Sequence, residues 1–504
     1  MKNIVLFGSG KSSTVLIKYL VKEVQQRSWH LIVADHDEKL VREKLQEASC
    51  TTAMGLDVSD EPARSSLVRS ADVVISLLPP SLHILVAKDC LVYGKNLLTA
   101  SYLDAAISAM KEEVAKKGLL FLCEMGLDPG IDHMSAMAML NRIRAAGGEI
   151  YSFRSHCGGL VAPESDNNPW RYKISWNPRN VVNAGKAGAD YLEHGKKVHK
   201  TYPQVFESIQ YLEVNELPSF AWYANRDSLA YIPVYGLEQV NTFIRTTLRY
   251  PEFIFGWNNI IHLGLTRDDL YYDTDGMSLK QFFHEHFRNN GFSEWLETQL
   301  TQRIEQTKSL LDKLNELLEI EESAGDSLKE GDDEMMLVTA TGEIKNYNLE
   351  KVKMEAAATV AGSMQEAGLT MKQLFYLGMD DDQTIINKGH CSAADILQFI
   401  LEHKLKLEDH DKDMIVMVHE IEYILGDKKF NTTSSMKVIG EDSLYTAMAK
   451  TVGMPLGIAA ILILEGKLTE KGVQIPTLPS IYEPVLEELE KQGLFFTEQN
   501  QEIN

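Results

Sequence analysis

The sequence predicts an α/β protein: a Rossmann-type doubly wound parallel sheet, joined to an α+β substrate domain with a mainly antiparallel sheet and to an inserted helical domain. Three observations carry that expectation. The chain opens with a short apolar run that passes straight into a glycine turn and then an amphipathic helix. Buried-strand and helix patterns then alternate as far as Gly130. Near Glu149 the pattern changes to the apolar/polar alternation of a half-buried antiparallel strand.

Asn3–Phe7 (NIVLF) is the first strand, and GSGKSS, Gly8–Ser13, follows it directly. Strand, glycine turn and helix together are the setting of a dinucleotide fingerprint. Gly8 permits the tight turn, and Gly10 lets the backbone approach a pyrophosphate at the helix N-terminus. Ser13 stands at the third glycine position, and the helix presents Val15, Leu16, Tyr19 and Leu20 on one face. A second strand, His30–Ala34, ends at Asp35. A carboxylate there accepts from an adenosine ribose and repels a 2′-phosphate, which points to NAD over NADP. An ordinary strand-end acid is the alternative reading of Asp35, and Lys39 is a cation within reach of a phosphate.

Asp72–Leu78 is the next strand, ending at Pro79-Pro80, with a helix through His83, Val86 and Ala87. Asn96–Ala100 follows, ending at Ser101-Tyr102, with a helix from Asp104. Gly118–Cys123 then leads into EMGLDPGIDH and a helix from Ile131 that carries Met134, Met137, Ala138 and Leu140 at helical spacing. The strand ends set Gly8–Ser13, Asp35, Ser76–Leu78, Ser101–Tyr102 and Leu127–Asp128 along one edge, where open α/β sheets bind ligands. Asp128 and Asp132 serve that edge or only cap the helix.

Ile150–His156 reads as the antiparallel strand, ended by Cys157-Gly158-Gly159. Ala162–Asn180 is a long loop whose content suits function, although Trp170, Tyr172 and Trp176 equally suit a core. Arg226, Arg245 and Arg249 are guanidinium groups fit for bidentate carboxylate binding, which suggests a substrate with more than one carboxylate. Leu270–Leu318 fits helices, and Trp295–Leu318 runs near heptad spacing, as in a helical hairpin or a dimer contact. Glu319–Glu334 holds eight acids against one lysine and reads as an acidic linker. Leu369–Leu407 is helical again. Asp413–Tyr423 and Ser435–Ile439 return to strand patterning and rejoin the antiparallel sheet. Ser443–Leu464 is a long apolar helix interrupted by Gly453, Pro455 and Gly457.

At 504 residues the chain has two or three domains. Its 72 acids against 50 bases leave a net charge of −22, which disfavours nucleic acid and anionic membrane as partners. Local arginines still allow an anionic small substrate. Five cysteines without CxxC spacing fit reduced thiols of a cytoplasmic protein, with neither a disulfide frame nor a metal site. The opening strand predicts no secretory leader, and the apolar run Met454–Leu464 is too short to span a bilayer.

Taken in order, VISLLPPSLH, TASYL, EMGLDPGIDH, HCGGLVAPESDNNPWRYKISW, NRDS and TLRY resemble the glutamate-forming saccharopine dehydrogenase family, also called saccharopine reductase. The late segments DKDMIVM and TAMAKTVGMPLGIAA fit as well. The resemblance covers roughly residues 1–270 and 370–490. It implies the reversible reaction of saccharopine, NAD(P)+ and water to L-glutamate, 2-aminoadipate 6-semialdehyde and NAD(P)H. It also implies substrate contacts at Ser101, Tyr102, Asp128, Cys157, Ser175, Arg226, Thr247, Leu248 and Arg249. Cofactor contacts fall on Gly8, Ser9, Gly10, Lys11, Ser12, Ser13, Asp57, Val58, Ser76 and Leu77, with Ser101, Leu127, Asp128 and Pro129 near the nicotinamide.

Water must attack the imine that forms, which calls for proton-transferring groups. Asp128 and Tyr102 are assigned to orient the substrate nitrogen and that water, and His133 is assigned as a structural hydrogen-bonder. His156 stands where the family usually has tyrosine, Val161 where it has proline, and Trp170 where it has leucine. These departures touch fine specificity. The layout expected is 1–130 for nucleotide binding, with 443–490 packing back on it. A substrate and dimerisation domain takes 131–268 and 413–442, and a helical insertion takes 269–412, with the acidic linker near 319–334. The resemblance says nothing of 300–368. A cytoplasmic homodimer is expected. The competing readings are a carboxyspermidine- or homospermidine-type dehydrogenase, disfavoured by the arginines, and a nucleotide sensor without turnover.

Overall fold

A computed structural model describes residues 1–214, 218–291, 293, 295, 334–338, 344–348 and 365–503. The heptad-like run from 296 onward and the linker up to 333 lie outside the described residues. The chain divides into two compact units: Met1–Asn167, Arg171–Ile254 and Leu405–Asn504 form one, and Asn168–Trp170 with Phe255–Lys404 form the other. The inserted unit thus opens inside the helix Pro251–His262 and closes at Lys404, not at 269 and 412.

Two sheets build the first unit. One is parallel, with strands in the spatial order Gly472–Gln474, Leu120–Leu122, Asn96–Thr99, Val73–Ser76, Asn3–Phe7, His30–Asp35, Thr51–Gly55. Its central strands are continuous aliphatic runs because helices cover both faces. Ile4 to Phe7 are at most 1% exposed. The strands expected at Asp72–Leu78, Asn96–Ala100 and Gly118–Cys123 are each shorter by one to three residues. Thr51–Gly55 and Gly472–Gln474 were not expected. They are edge strands, one half-buried up to an exposed Gly55 and one three residues long, so neither shows a clear apolar pattern.

The second sheet runs Gln210–Leu212, Phe220–Ala224, Thr242–Arg249, Glu149–Val161, Asp413–Leu425, Lys428–Ile439, Thr497–Ile503. It is antiparallel along this path except where Thr242–Arg249 runs parallel to Glu149–Val161. The latter strand does not end at Cys157-Gly158-Gly159 but continues to Val161. A Cβ on Gly158 would lie 2.6 Å from the Leu248 Cβ. That glycine therefore serves a close approach within the sheet, not a turn.

Two buried helices join the sheets. Ile131–Ala145 is buried on nearly every side from Ile131 to Leu140, polar Asp132, His133 and Ser135 included, and opens to solvent at Arg142 and Ala145. One core cluster runs from Leu6 and Leu122 through Met134 and Leu140 to Phe153, Phe243 and Met417. Ala447–Leu464 has 18 residues, more than the apolar run expected, and is long and apolar enough by length and composition to cross a membrane. Its most apolar window is 78% buried inside the protein. Gly453, Pro455 and Gly457 do not interrupt it. The two glycines face Leu16 and Tyr19 of the helix Thr14–Arg27, so the segment packs back on the nucleotide-binding sheet.

The second unit is not wholly helical. Tyr271–Asp273 pairs antiparallel with His390–Ser392, which breaks the helix expected over Leu369–Leu407. Glu334–Val338 pairs with Ile344–Asn348. Ser278 and Gln281 form a capping box on the helix Leu279–Asn289. Trp170 is buried here, its Nε1 donating to the Gln373 carbonyl at 3.1 Å, so that ring is core.

Candidate active site

The parallel sheet delivers its strand ends to one edge, and the strand Thr242–Arg249 of the second sheet faces that edge with Arg245. The sequence grouped this guanidinium with Arg226 and Arg249 as a candidate for binding substrate carboxylates; instead it holds two carboxylates of the protein itself and is the centre of the cluster. Its Nη2 donates to Asp128 Oδ1 at 2.6 Å and to Asp132 Oδ2 at 2.7 Å. The arginine side chain is 4% exposed, Asp128 14% and Asp132 1%. One cation thus serves two carboxylates almost out of water.

The two acids answer differently. Burial pushes the Asp128 carboxyl above its ordinary value; Arg245 opposes this and Asp132 adds to it. For Asp132, burial is outweighed by His133, Arg245 and the Gly130 amide, which donates at 2.6 Å, so its carboxyl is held below the ordinary value. Asp132 stays ionised and holds Arg245, while Asp128 is left poised to exchange a proton. The Tyr102 hydroxyl lies 3.4 Å from Asp128 Oδ1, and burial and that acid raise its pKa, so it remains a neutral donor. The Arg226 guanidinium lies 5.2 Å from the Tyr102 ring centroid.

Behind this pair is a second buried network. His133 is bonded through Nδ1 to the Tyr235 hydroxyl at 2.6 Å and through Nε2 to Glu124 Oε2 at 2.8 Å. Tyr231 also donates to Glu124, and Glu124 accepts the Leu103 amide. The Tyr231 ring stacks on His133 at 5.2 Å and lies under the Arg245 guanidinium at 4.4 Å. His133 has no exposed surface, as its assignment as a structural hydrogen-bonder requires. Glu124, Tyr231 and Tyr235 were missed; the only trace is the i,i+4 spacing of the two tyrosines.

Cys157 lies opposite Thr247 in register and is 6% exposed, its thiol pushed up by burial and then by Asp128 and Asp132. Arg249 Nη1 donates to the Leu248 carbonyl at 2.7 Å, and the guanidinium lies over Tyr172 at 5.3 Å. Its buried Nε has no hydrogen-bond partner among the described residues. Strand alternation turns the Leu248 side chain to the opposite face, into a cluster with Leu160, Phe220 and Tyr250, so only its backbone can face a ligand. Ser175 is buried against Asp413, whose carboxylate accepts the Ala447 and Met448 amides, and so its bond is not with the Asp128 cluster.

On the nucleotide side, Gly8 takes a left-handed φ of 101° and Gly10 has open space where a Cβ would stand. Asp35 Oδ2 accepts the Ser9 amide at 2.6 Å and Oδ1 the Asp37 amide at 3.1 Å. Burial raises this carboxyl, but those amides outweigh it and hold the pKa below the ordinary value. Asp57 and Val58 follow the neighbouring edge strand. Lys39 is exposed, 3.9 Å from Glu43. Ser76 Oγ is bonded to His83 Nδ1, and His83 Nε2 to Ser101 Oγ, each at 2.8 Å. Burial pushes His83 down to about 4. It is neutral, with one ring nitrogen donating and the other accepting. The glycine turn, the ribose-side carboxylate and the open edge fit a dinucleotide.

Fold and site together define a two-sheet protein with a dinucleotide-binding edge and a buried cluster of acids around an arginine where the sheets meet. Residues 4–122 match the saccharopine dehydrogenase NADP binding domain, and residues 126–494 match the saccharopine dehydrogenase C-terminal domain. The chain belongs to the saccharopine dehydrogenase family. It is 33% identical over 473 residues to an alpha-aminoadipic semialdehyde synthase of Arabidopsis thaliana, covering 92% of this chain and 40% of that protein. The chain spans less than half the length of such synthases. It is 29% identical to saccharopine dehydrogenase [NADP(+), L-glutamate-forming] of Schizosaccharomyces pombe, covering 99% of each. The solved apo saccharopine dehydrogenase (L-Glu forming) of Saccharomyces cerevisiae matches with a TM-score of 0.77 and 25% identity, over 99% of this chain and 100% of that one.

Proposed function

We propose that this chain is an oxidoreductase of lysine metabolism that converts saccharopine, NAD(P)+ and water reversibly into L-glutamate, 2-aminoadipate 6-semialdehyde and NAD(P)H. The observation that carries the reading is the Arg245 clamp, which leaves one buried carboxylate ionised and its neighbour Asp128 with a raised pKa. The names of the fungal relatives, saccharopine dehydrogenase [NADP(+), L-glutamate-forming], support the substrate.

The dinucleotide, when bound, takes hydride from the carbon beside the secondary amine. Residues of this chain do the rest. Asp128, next to the reacting nitrogen, takes a proton from water as water adds to the imine carbon, and returns one to the departing amine. Tyr102, kept neutral, donates a hydrogen bond to the nitrogen or the new hydroxyl. Arg226 and Arg249 receive carboxylates of the substrate, with the unsatisfied Nε of Arg249 as a ready donor. An amine-rich substrate would meet cations here.

NAD is the preferred cofactor in this reading, although the fungal relatives are named for NADP(+). Asp35 is held ionised at the end of its strand, where a 2′-phosphate would be repelled. In the same reading the chain is a cytoplasmic homodimer; the net charge of −22 disfavours nucleic-acid and anionic membrane partners, and the five free thiols suit a reducing compartment. Absorbance at 340 nm with saccharopine and either NAD+ or NADP+ tests both parts. Turnover favouring NAD+ is expected. Turnover favouring NADP+ would remove the Asp35 argument, and no turnover with either, in a protein that binds NADH, would remove the reaction.

A further inference from the structure

Lys44, at the end of the helix Glu38–Leu45, reaches back beneath the glycine turn. Its Nζ donates to the carbonyl oxygens of Ser9 and Gly10, each at 2.6 Å, and stands 3.4 Å from Ser13 Oγ. Nothing in the sequence pattern singled this lysine out.

A trans peptide carries its C=O and N–H on opposite sides. Two consecutive carbonyls drawn toward Lys44 therefore turn the amides of Gly10 and Lys11 away from it. The Ser9 amide is already spent on Asp35 at 2.6 Å. Gly10 is extended on its ψ side, at φ −62° and ψ −173°, and a Cβ built there meets nothing within 4 Å, so the turn is open at this residue. Amide N–H groups at a glycine turn just before a helix N-terminus are donors for an anion, and that N-terminus adds partial charge of the same sign. Burial draws the Lys44 ammonium down to about 8 against the pull of Asp35, so it is a cation at neutral pH, held by carbonyls instead of water.

We propose that Lys44 is a positioning residue for the dinucleotide: by holding the Ser9 carbonyl, and together with Ser13 the Gly10 carbonyl, it fixes two peptide planes so that the amides of Gly10 and Lys11 face the pyrophosphate. Lys44 itself does not touch the ligand. The proposal rests on the dinucleotide reading of the turn but not on saccharopine as substrate, because it is tested by binding alone.

The full chain carrying Lys44→Met, and separately Lys44→Arg, is titrated with NADH by nicotinamide fluorescence, and ADP and adenosine are competed against it. Lys44→Met is expected to weaken NADH and ADP by at least about tenfold, with adenosine affinity unchanged. Lys44→Arg, which keeps a cationic donor, is expected to recover most of that loss. Unchanged NADH binding by Lys44→Met would overturn the proposal. So would equal losses for adenosine and ADP, which would mean general damage to the nucleotide side. If Lys44→Met fails to fold, Lys44→Arg decides: a selective loss of NADH and ADP no smaller than tenfold would overturn it.

Discussion

Replacing Arg245 with methionine isolates what the guanidinium does. Its Nη2 is 2.6 Å from Asp128 and 2.7 Å from Asp132. Methionine fills much of the space but leaves two carboxylates enclosed without their cation. Removing one partner of a buried pair costs about 3–5 kcal/mol. The low end applies here, because Asp128 already has a raised pKa and can take up a proton. In the native protein the Asp132 carboxyl is held down, so its contribution is present above the unfolded carboxylate pKa and is lost as pH falls through the lowered value. In Arg245→Met the Asp128 carboxyl, already raised, rises further, and Asp132 keeps His133 and the Gly130 amide but loses Arg245 as a group that holds it down. At Asp128 the folded variant then binds more protons than its unfolded chain and gains stability as pH falls. Thermal unfolding at pH 8 and pH 5 reads this directly. The midpoint should drop by about 4 °C at pH 8 and by clearly less at pH 5, and adding Asp132→Asn should restore much of the loss at pH 8. An equal drop at both pH values, unrelieved by Asp132→Asn, would refute the electrostatic argument and leave only packing against Tyr231 and Tyr102.

Asp128→Asn should lower kcat/KM for saccharopine by roughly 10²–10⁴, with NADH affinity measured by fluorescence unchanged; a smaller loss would demote Asp128 to orientation. The wild-type kcat/KM profile should fall on the acid side with a midpoint above the ordinary carboxylate range, because protonation of Asp128 removes the acceptor; a midpoint at or below the ordinary range would point elsewhere. Asp35→Ser should lower the NAD+ over NADP+ preference by about tenfold or more, read as a ratio of kcat/KM values. Gly158→Ala should cost about 1–3 kcal/mol, seen as a lower unfolding midpoint, because the added Cβ meets Leu248 at 2.6 Å.

Much of the fold was legible because helix-covered parallel strands and their turns leave strong local signals. NIVLF followed by GSGKSS places the nucleotide edge by itself, and DMIVMVHEIEY places a strand of the second sheet. The misses have physical causes. Gly158 lies inside a strand because a neighbouring side chain approaches it, a tertiary fact that looks like a turn in sequence. Gly472–Gln474 joins a sheet whose other strands lie more than 300 residues earlier in the chain, and three residues carry no period. For the site, Asp128 and Tyr102 could be named because strand ends share an edge. Arg245 reached them from 117 residues away in sequence, through the parallel pairing of Thr242–Arg249 with Glu149–Val161. Leu248 was carried along with its neighbours, although alternation sends its side chain to the other face. Lys44 and His83 act through backbone or hydroxyl contacts across the fold, and no spacing announces such contacts.

The central claim is that this chain cleaves saccharopine on the semialdehyde side of its secondary amine. Product analysis by mass spectrometry, after incubation with saccharopine and NAD+, tests it most directly. The account predicts L-glutamate and 2-aminoadipate 6-semialdehyde, each equimolar with the NADH formed. Lysine and 2-oxoglutarate in their place, or NADH formed without glutamate, would contradict it.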